Sequence, residues 1–211
     1  MIPEKKEWMD ALIARHGLEL HKRFSSATVV ICGLGGLGSN IAIALARAGI
    51  GKLVLIDFDK VDITNLHRQQ YKASQIGQYK TDALAESLSE IAPYAEIKTV
   101  TARLSEDNLT TFLKDADVIC EAFDDAEAKA MLVNGVLEQL PGSYLVAASG
   151  MAGMDTPNTI KTRNIGKRFY LCGDEVSAVA DTIGLVAPRV MLCAAHQAQT
   201  VLRILAGDYE V

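Results

Sequence analysis

The chain has 211 residues, 49% hydrophobic and 22% charged, with a formal net charge of -5. That length suits one globular domain with a substantial core, the composition excludes a disordered chain, and the acidic balance argues against nonspecific nucleic-acid binding. The opening MIPEKKEWMD is polar where a secretory leader carries an apolar core, and Arg47 and Lys52 interrupt the later apolar stretches. A cytoplasmic protein with no membrane partner is therefore expected.

In chain order, an amphipathic helix is expected over about residues 6–24. Short apolar runs then alternate with segments of helical period. Strands are expected at 28–32, 52–57, 96–100, 118–121 and 144–148, and helices at 37–48, 80–91, 106–113 and 126–140, with Gly49 and Pro93 as stops. From Gly150 to Val186 the pattern loosens into glycines, Pro157 and the basic run from Lys161 to Arg168, which suggests an antiparallel addition or a crossing loop. A last helix, roughly 187–205, has Pro188 in its first turn and stops at Gly207. The alternation predicts an α/β fold: a Rossmann-like, mainly parallel sheet with helices on both faces, an N-terminal helix and a small antiparallel addition on the C-terminal side. The expected organisation is a single unit over 1–211: an arm (1–26), a nucleotide-binding core (27–150) and a crossing segment with the last helix (151–211).

The stretch CGLGGLGSN places Gly33, Gly35, Gly36 and Gly38 between the first strand and its helix. Backbone N–H groups and the helix dipole converge there on an anion. Asp57 ends the next strand, where a carboxylate accepts from both hydroxyls of a ribose. These features imply an adenine nucleotide and leave ATP and NAD both open. Asn65, Arg68 and Lys80 in DFDKVDITNLHRQQYKASQIGQYK add groups suited to a polyphosphate, and Asp124 in CEAFDDAEAK sits where a carboxylate can hold Mg²⁺. Cations and a metal around one phosphate chain point to phosphoryl or nucleotidyl transfer. Cys32, Cys120, Cys172 and Cys193 lack the paired spacing of zinc sites, so no zinc is expected; Cys172, beside a turn, is the candidate reactive thiol.

In GLGGLGSN, LIDFDKVDITNLHRQ, GQYK with LAESLSEIAPYAEI, EAFDDAEAK and GLVAPRVMLCAAHQAQTVLRILAG, the chain resembles the ubiquitin-activating-enzyme-like adenylyltransferases, which include activators of the thiamine and molybdopterin sulfur carriers. The likeness runs from about 27 to 207 and comes nearest to a short thiamine-pathway activator. It implies that Gly33, Gly35, Gly36 and Gly38 form the nucleotide loop, that Asp57 binds the ribose, that Asn65, Arg68 and Lys80 contact phosphates, and that Asp124 is the magnesium aspartate. It also implies a homodimer in which an arginine of the partner's N-terminal helix completes the site, with Arg15 as candidate and Arg23 as alternative. Two departures stand out: the paired zinc cysteines of many members are missing, and Asp125 replaces the common asparagine.

The implied reaction is attack by the C-terminal glycine carboxylate of a small ubiquitin-like sulfur carrier ending in Gly-Gly on the α-phosphorus of ATP, releasing pyrophosphate. A carboxylate is already ionised at pH 7, so no general base is required, and His16, His21, His67 and His196 are expected at the surface or in packing. Other substrates within this reading are a molybdopterin-type carrier or a transfer-RNA nucleoside that is cyclised. Rivals of other classes are an NAD-dependent oxidoreductase, which leaves Arg68, Lys80 and Asp124 without a role, and a non-catalytic scaffold.

Overall fold

A computed structural model of the chain describes residues 2–181 and 183–211. Seven strands form one sheet in the order β3-β2-β1-β4-β5-β7-β6. They are β1 (Thr28–Cys32), β2 (Lys52–Asp57), β3 (Glu96–Thr101), β4 (Val118–Glu121), β5 (Tyr144–Ala148), β6 (Lys161–Gly166) and β7 (Phe169–Gly173). All neighbours pair parallel except β6, which runs antiparallel to β7. The expected antiparallel addition is this β6–β7 pair.

The central strands TVVIC and VICE are apolar at almost every position because both faces are covered, as parallel sheets require. Val29 and Ile31 join one core with α2 (Leu18–Ser26), α3 (Gly36–Ala48), α4 (Lys80–Ile91) and α7 (Ala187–Ala206). Val30 and Cys32 face the opposite core, filled by α5 (Leu109–Leu113) and α6 (Ala126–Gln139). Ile41, Leu45, Leu132 and Val136 are wholly buried, each stabilising the layers by about 1.5–3 kcal/mol relative to exposure. Since β2 and β4 flank β1, the sheet order reverses there, opening a crevice at the strands' carboxyl ends.

Two elements differ from expectation. The N-terminal helix is two helices, α1 (Lys5–His16) and α2, because Gly17 adopts φ 83° and its N–H closes α1 on the Ile13 carbonyl (2.8 Å). Helix α1 buries no residue completely; Trp8 lies edge-on to Tyr94 (centroids 6.4 Å), whose hydroxyl donates to the Pro3 carbonyl. The helix expected from 106 starts only at Leu109, since the Asn108 side chain accepts from Ser105 N–H (3.0 Å) and donates to the Arg103 carbonyl (3.0 Å), holding a turn instead. The final helix stops as expected, at Gly207 with φ 84°. Among the described residues no helix is long and apolar enough to cross a membrane.

Candidate nucleotide site

A cleft of about 390 Å³ opens at the carboxyl ends of the central strands. Its floor is the glycine turn. Gly33 takes φ +91°, and a Cβ there would stand 2.8 Å from the Ala122 carbonyl oxygen; a Cβ on Gly38 would stand 1.8 Å from the Gly33 carbonyl oxygen. The loop can fold this tightly onto β4 and α3 only without those side chains. Gly33, Gly35 and Gly36 line the cleft, whereas Gly38 does not, its place being the packing of helix against turn. Gly35 occupies the N-cap of α3 with no side chain, so the free first-turn N–H groups and the positive helix end face the cavity.

Asp57 ends β2 nearly buried. Its Oδ2 accepts from Leu34 N–H (2.6 Å) and its Oδ1 from Asp59 N–H (2.8 Å). These two bonds fix the carboxylate toward the glycine turn and leave a lone pair on each oxygen for hydroxyl donors. Asp62 caps the next short turn by accepting from Thr64 N–H (2.8 Å), which brings Asn65 and Arg68 to the wall, where Arg68 Nη2 donates to Asn65 Oδ1 (3.1 Å). The Arg68 Nε is buried without a protein partner. Lys80, the first residue of α4, is only 6% exposed, and its Nζ is held by Asp59 Oδ2 at 2.8 Å. Opposite, Asp124 is exposed at the mouth and its carboxylate has no hydrogen-bond partner among the described residues, while Asp125 caps α6 by accepting from Ala128 N–H (2.8 Å). The aspartate that replaces the common asparagine thus serves the helix end. A free carboxylate at the mouth of a cleft floored by a glycine turn has the chemistry to hold a hard divalent cation.

Several lining residues carry no mark in the sequence pattern. Lys129 reaches the cleft from α6 and pairs with Glu121. Gln69 lines it with a buried, unpartnered Oε1. Arg103 lies over the half-exposed Phe58 ring (5.5 Å) beside Asp57. On the far side, Arg189 in the first turn of α7 is buried and donates to the carbonyls of Ala152, Asp155 and Thr156, to Thr159 Oγ1 and to Asp174. Asp174 in turn accepts from Val176 N–H, Ser177 N–H and the Ser177 hydroxyl, and that hydroxyl accepts from Ala152 N–H. Burial acts to raise the Asp174 pKa, but its hydrogen bonds outweigh it and hold the group at about 2.

The remaining expected residues lie elsewhere. Arg15 is exposed on α1 and does not line the cleft of its own chain. Arg23 is occupied, donating to the Ala206 carbonyl at the C-terminal end of α7 (2.7 Å). Cys172 is fully buried in β7 outside the cleft, near Thr162 Oγ1 (3.6 Å) and Thr200 Oγ1 (4.0 Å); burial pushes its thiol up to about 11, which suppresses the thiolate. The other three cysteines are also buried. Among the described residues no group of three His, Cys, Asp or Glu is arranged for a metal. His16 and His21 stack at 6.0 Å beside Phe24, and His196 Nδ1 meets Thr162 Oγ1 at 2.9 Å. His67 is exposed beside Arg68 Nη1 (3.3 Å).

A glycine turn feeding a helix N-terminus, an anchored acidic strand end and two cations at the sheet's switch point define an α/β protein built to hold nucleotide phosphates. The ThiF family model matches residues 9–211, and the chain belongs to that family, in the ubiquitin-activating-enzyme-like superfamily. It is 33% identical over 199 residues to the adenylyltransferase and sulfurtransferase UBA4 of Eremothecium gossypii, covering 92% of this chain and 44% of that one. To the molybdopterin-synthase adenylyltransferase of Escherichia coli it is 30% identical over 186 residues, 85% of this chain and 73% of the other. The chain thus spans less than half the length of the fungal relatives it matches. Among solved structures, the E. coli tRNA N6-threonylcarbamoyladenosine dehydratase TcdA in complex with AMP has the same fold, with a TM-score of 0.87 over 98% of both chains at 21% identity.

Proposed function

We propose that the protein is an adenylyltransferase that uses ATP and Mg²⁺ to adenylylate the C-terminal glycine carboxylate of a small ubiquitin-like sulfur carrier protein. The observation that carries this reading is the grouping of Arg68, Lys80 and the unpaired Asp124 around one glycine turn. A hydride-transfer enzyme has no use for two cations and a free carboxylate at this place.

In this reading the α3 N-terminus and glycine turn receive the phosphates, Asp57 the ribose, and the Phe58–Arg103 face the base. Carrier carboxylate and triphosphate repel each other, so the enzyme's task is to align two anions and offset the charge that builds on the leaving pyrophosphate. Arg68, steered by Asn65, and Lys80, steered by Asp59, present fixed donors for that charge. Asp124 would hold Mg²⁺, which supplies further charge neutralisation on the phosphate oxygens. No side chain needs to remove a proton from the attacking carboxylate, in keeping with a cleft that no histidine lines.

The likeness of KRFYLCGDE and APRVMLCAAHQA to thiamine-pathway activators favours a thiamine-type carrier, with a molybdopterin-type carrier as the alternative that the names of two bacterial relatives support. A transfer-RNA nucleoside is disfavoured: in the basic run Arg163 is tied to Glu175, and Arg168 donates to the Leu140 and Ser143 carbonyls. The active unit in this proposal is a homodimer in which Arg15 enters the partner's cleft, consistent with an α1 that buries no residue completely in its own chain. Mixed dimers of Arg15→Ala and Asp124→Ala chains should regain activity after subunit exchange; continued inactivity rules out Arg15. ATP–pyrophosphate exchange with a panel of purified Gly-Gly-ended carriers tests the reaction itself: exchange that depends on one carrier and on Mg²⁺ supports it, and none with any carrier removes it.

A further inference from the structure

An ion pair with a fully buried carboxylate, Glu121–Lys129, stands beside the cleft. Glu121, the last residue of β4, is 0% exposed, an expensive place for a carboxylate. Its Oε1 accepts from Phe123 N–H (2.7 Å), and its Oε2 accepts from Lys129 Nζ (2.5 Å). Lys129 Nζ also donates to the Ala148 carbonyl at the end of β5 (2.9 Å), and the Glu121 carbonyl accepts from Gln197 Nε2 of α7 (2.9 Å). One carboxylate therefore ties together the turn leaving β4, the first turns of α6 and, through Lys129, the tip of β5.

Asp124 sits between two pinned points. Before it, the Phe123 amide is bound by Glu121; after it, Asp125 caps α6. The same turn abuts the glycine loop, as the tight space between Gly33 and the Ala122 carbonyl shows. Where a buried pair serves stability alone, apolar residues of similar volume replace it at little cost. Here one partner opens onto the cleft and the other holds the amide next to the unpaired aspartate.

We propose that Glu121 and Lys129 are positioning residues that set the Phe123–Asp125 turn, and with it the Asp124 carboxylate, against the phosphate-binding glycine loop. The proposal rests on the reading of Asp124 as the magnesium ligand of the proposed reaction. Groups hydrogen-bonded directly to a metal ligand typically change metal affinity or activity by about 10–100-fold; this pair reaches Asp124 through the Phe123 backbone.

The test compares wild type with Glu121→Leu/Lys129→Met, which removes both charges at once and leaves neither buried alone. ATP affinity is measured by calorimetry with and without Mg²⁺, beside pyrophosphate exchange and Tm. The double variant should keep a Tm close to wild type and its magnesium-free ATP affinity, lose at least about tenfold of the affinity that Mg²⁺ adds, and lose kcat by a similar factor. Lys129→Arg, which keeps the charge and the donors, should restore most of both. A double variant with the wild-type magnesium response and exchange rate overturns the proposal, and so does one whose lost activity is fully explained by a lowered Tm. If the double variant does not fold, Glu121→Asp replaces it: the shortened carboxylate gives up the Phe123 amide, and an unchanged magnesium response in that variant is equally contrary. Absence of exchange with every carrier in the wild type refutes the proposed function, while the magnesium-dependent part of ATP affinity still decides the role of the pair.

Discussion

The two sides of the cleft are built by different means. On the glycine side, backbone does the shaping: Gly33 and Gly38 let β1, α3 and β4 touch, and Asp57 closes the turn by accepting one amide from Leu34 and another from Asp59. On the crossing side, between β5 and α7, a single guanidinium does it: Arg189 gathers the carbonyls of Ala152, Asp155 and Thr156 and the Asp174 carboxylate. A backbone-built wall tolerates change outside its few contact points, whereas a hub concentrates its risk in one side chain.

The largest effect should follow from removing that hub. Arg189→Ala leaves the buried Asp174 carboxylate without its cation and the Ala152 carbonyl without its guanidinium donor, and should cost about 3–5 kcal/mol of stability, seen as a lower denaturation midpoint in urea. Acid sharpens the same contrast. With its pKa depressed to about 2 in the folded protein, Asp174 gives stability that is fully present above its unfolded value of about 3.9 and is lost as pH falls toward 2. Wild type should therefore lose more stability than Asp174→Asn between about pH 4 and pH 2; parallel curves would mean that the hub does not depend on this charge.

Asp124→Ala should do the opposite of Arg189→Ala. An exposed carboxylate at the mouth contributes nothing to the core, so Tm should stay, while exchange falls about 10²–10³-fold. Activity close to wild type would move the metal site elsewhere.

Gly38→Ala probes the backbone-built side. The added carbon meets the Gly33 carbonyl oxygen at 1.8 Å, so helix and turn must separate, costing about 1–3 kcal/mol in stability. Nucleotide affinity should weaken with it. An unaffected Tm would mean that the turn is more yielding than its contacts indicate.

Cys172→Ser should have the smallest effect on catalysis. Both adenylate formation and any later sulfur transfer should survive, because the thiol is buried and its ionisation is suppressed. A carrier adduct released by thiol reductant, seen by intact mass in wild type and absent in the variant, would contradict this.

The same contrast explains what the sequence made legible. Val29 to Cys32, the four glycines and Asp57 announce themselves because local spacing and backbone chemistry define them. Arg68, Lys80 and Asp124 emerged from their order along the chain, and the structure brings all three to the cleft. Arg189 was hidden, since its partners Ala152 and Asp174 stand 37 and 15 residues away and no periodicity links them. Lys129 carries no local signal in the sequence; only the turn folding back on β4 brings it to Glu121. The split at Gly17 has no sequence signal of its own, because a lone glycine inside a helical pattern is often tolerated and only its positive φ makes it a stop. The helix expected over 106–113 begins only at Leu109 because the Asn108 side chain competes for the backbone.

In the proposed reaction the cleft transfers AMP to a carrier's C-terminal carboxylate. Intact mass spectrometry of each Gly-Gly-ended carrier, taken after incubation with enzyme, ATP and Mg²⁺, reads this directly. One carrier should gain the mass of a single AMP, hydroxylamine should convert the adduct to the carrier hydroxamate, and Asp124→Ala should form none. Unmodified carriers throughout, with an enzyme that binds ATP and is folded, or AMP found on transfer RNA instead, would contradict it.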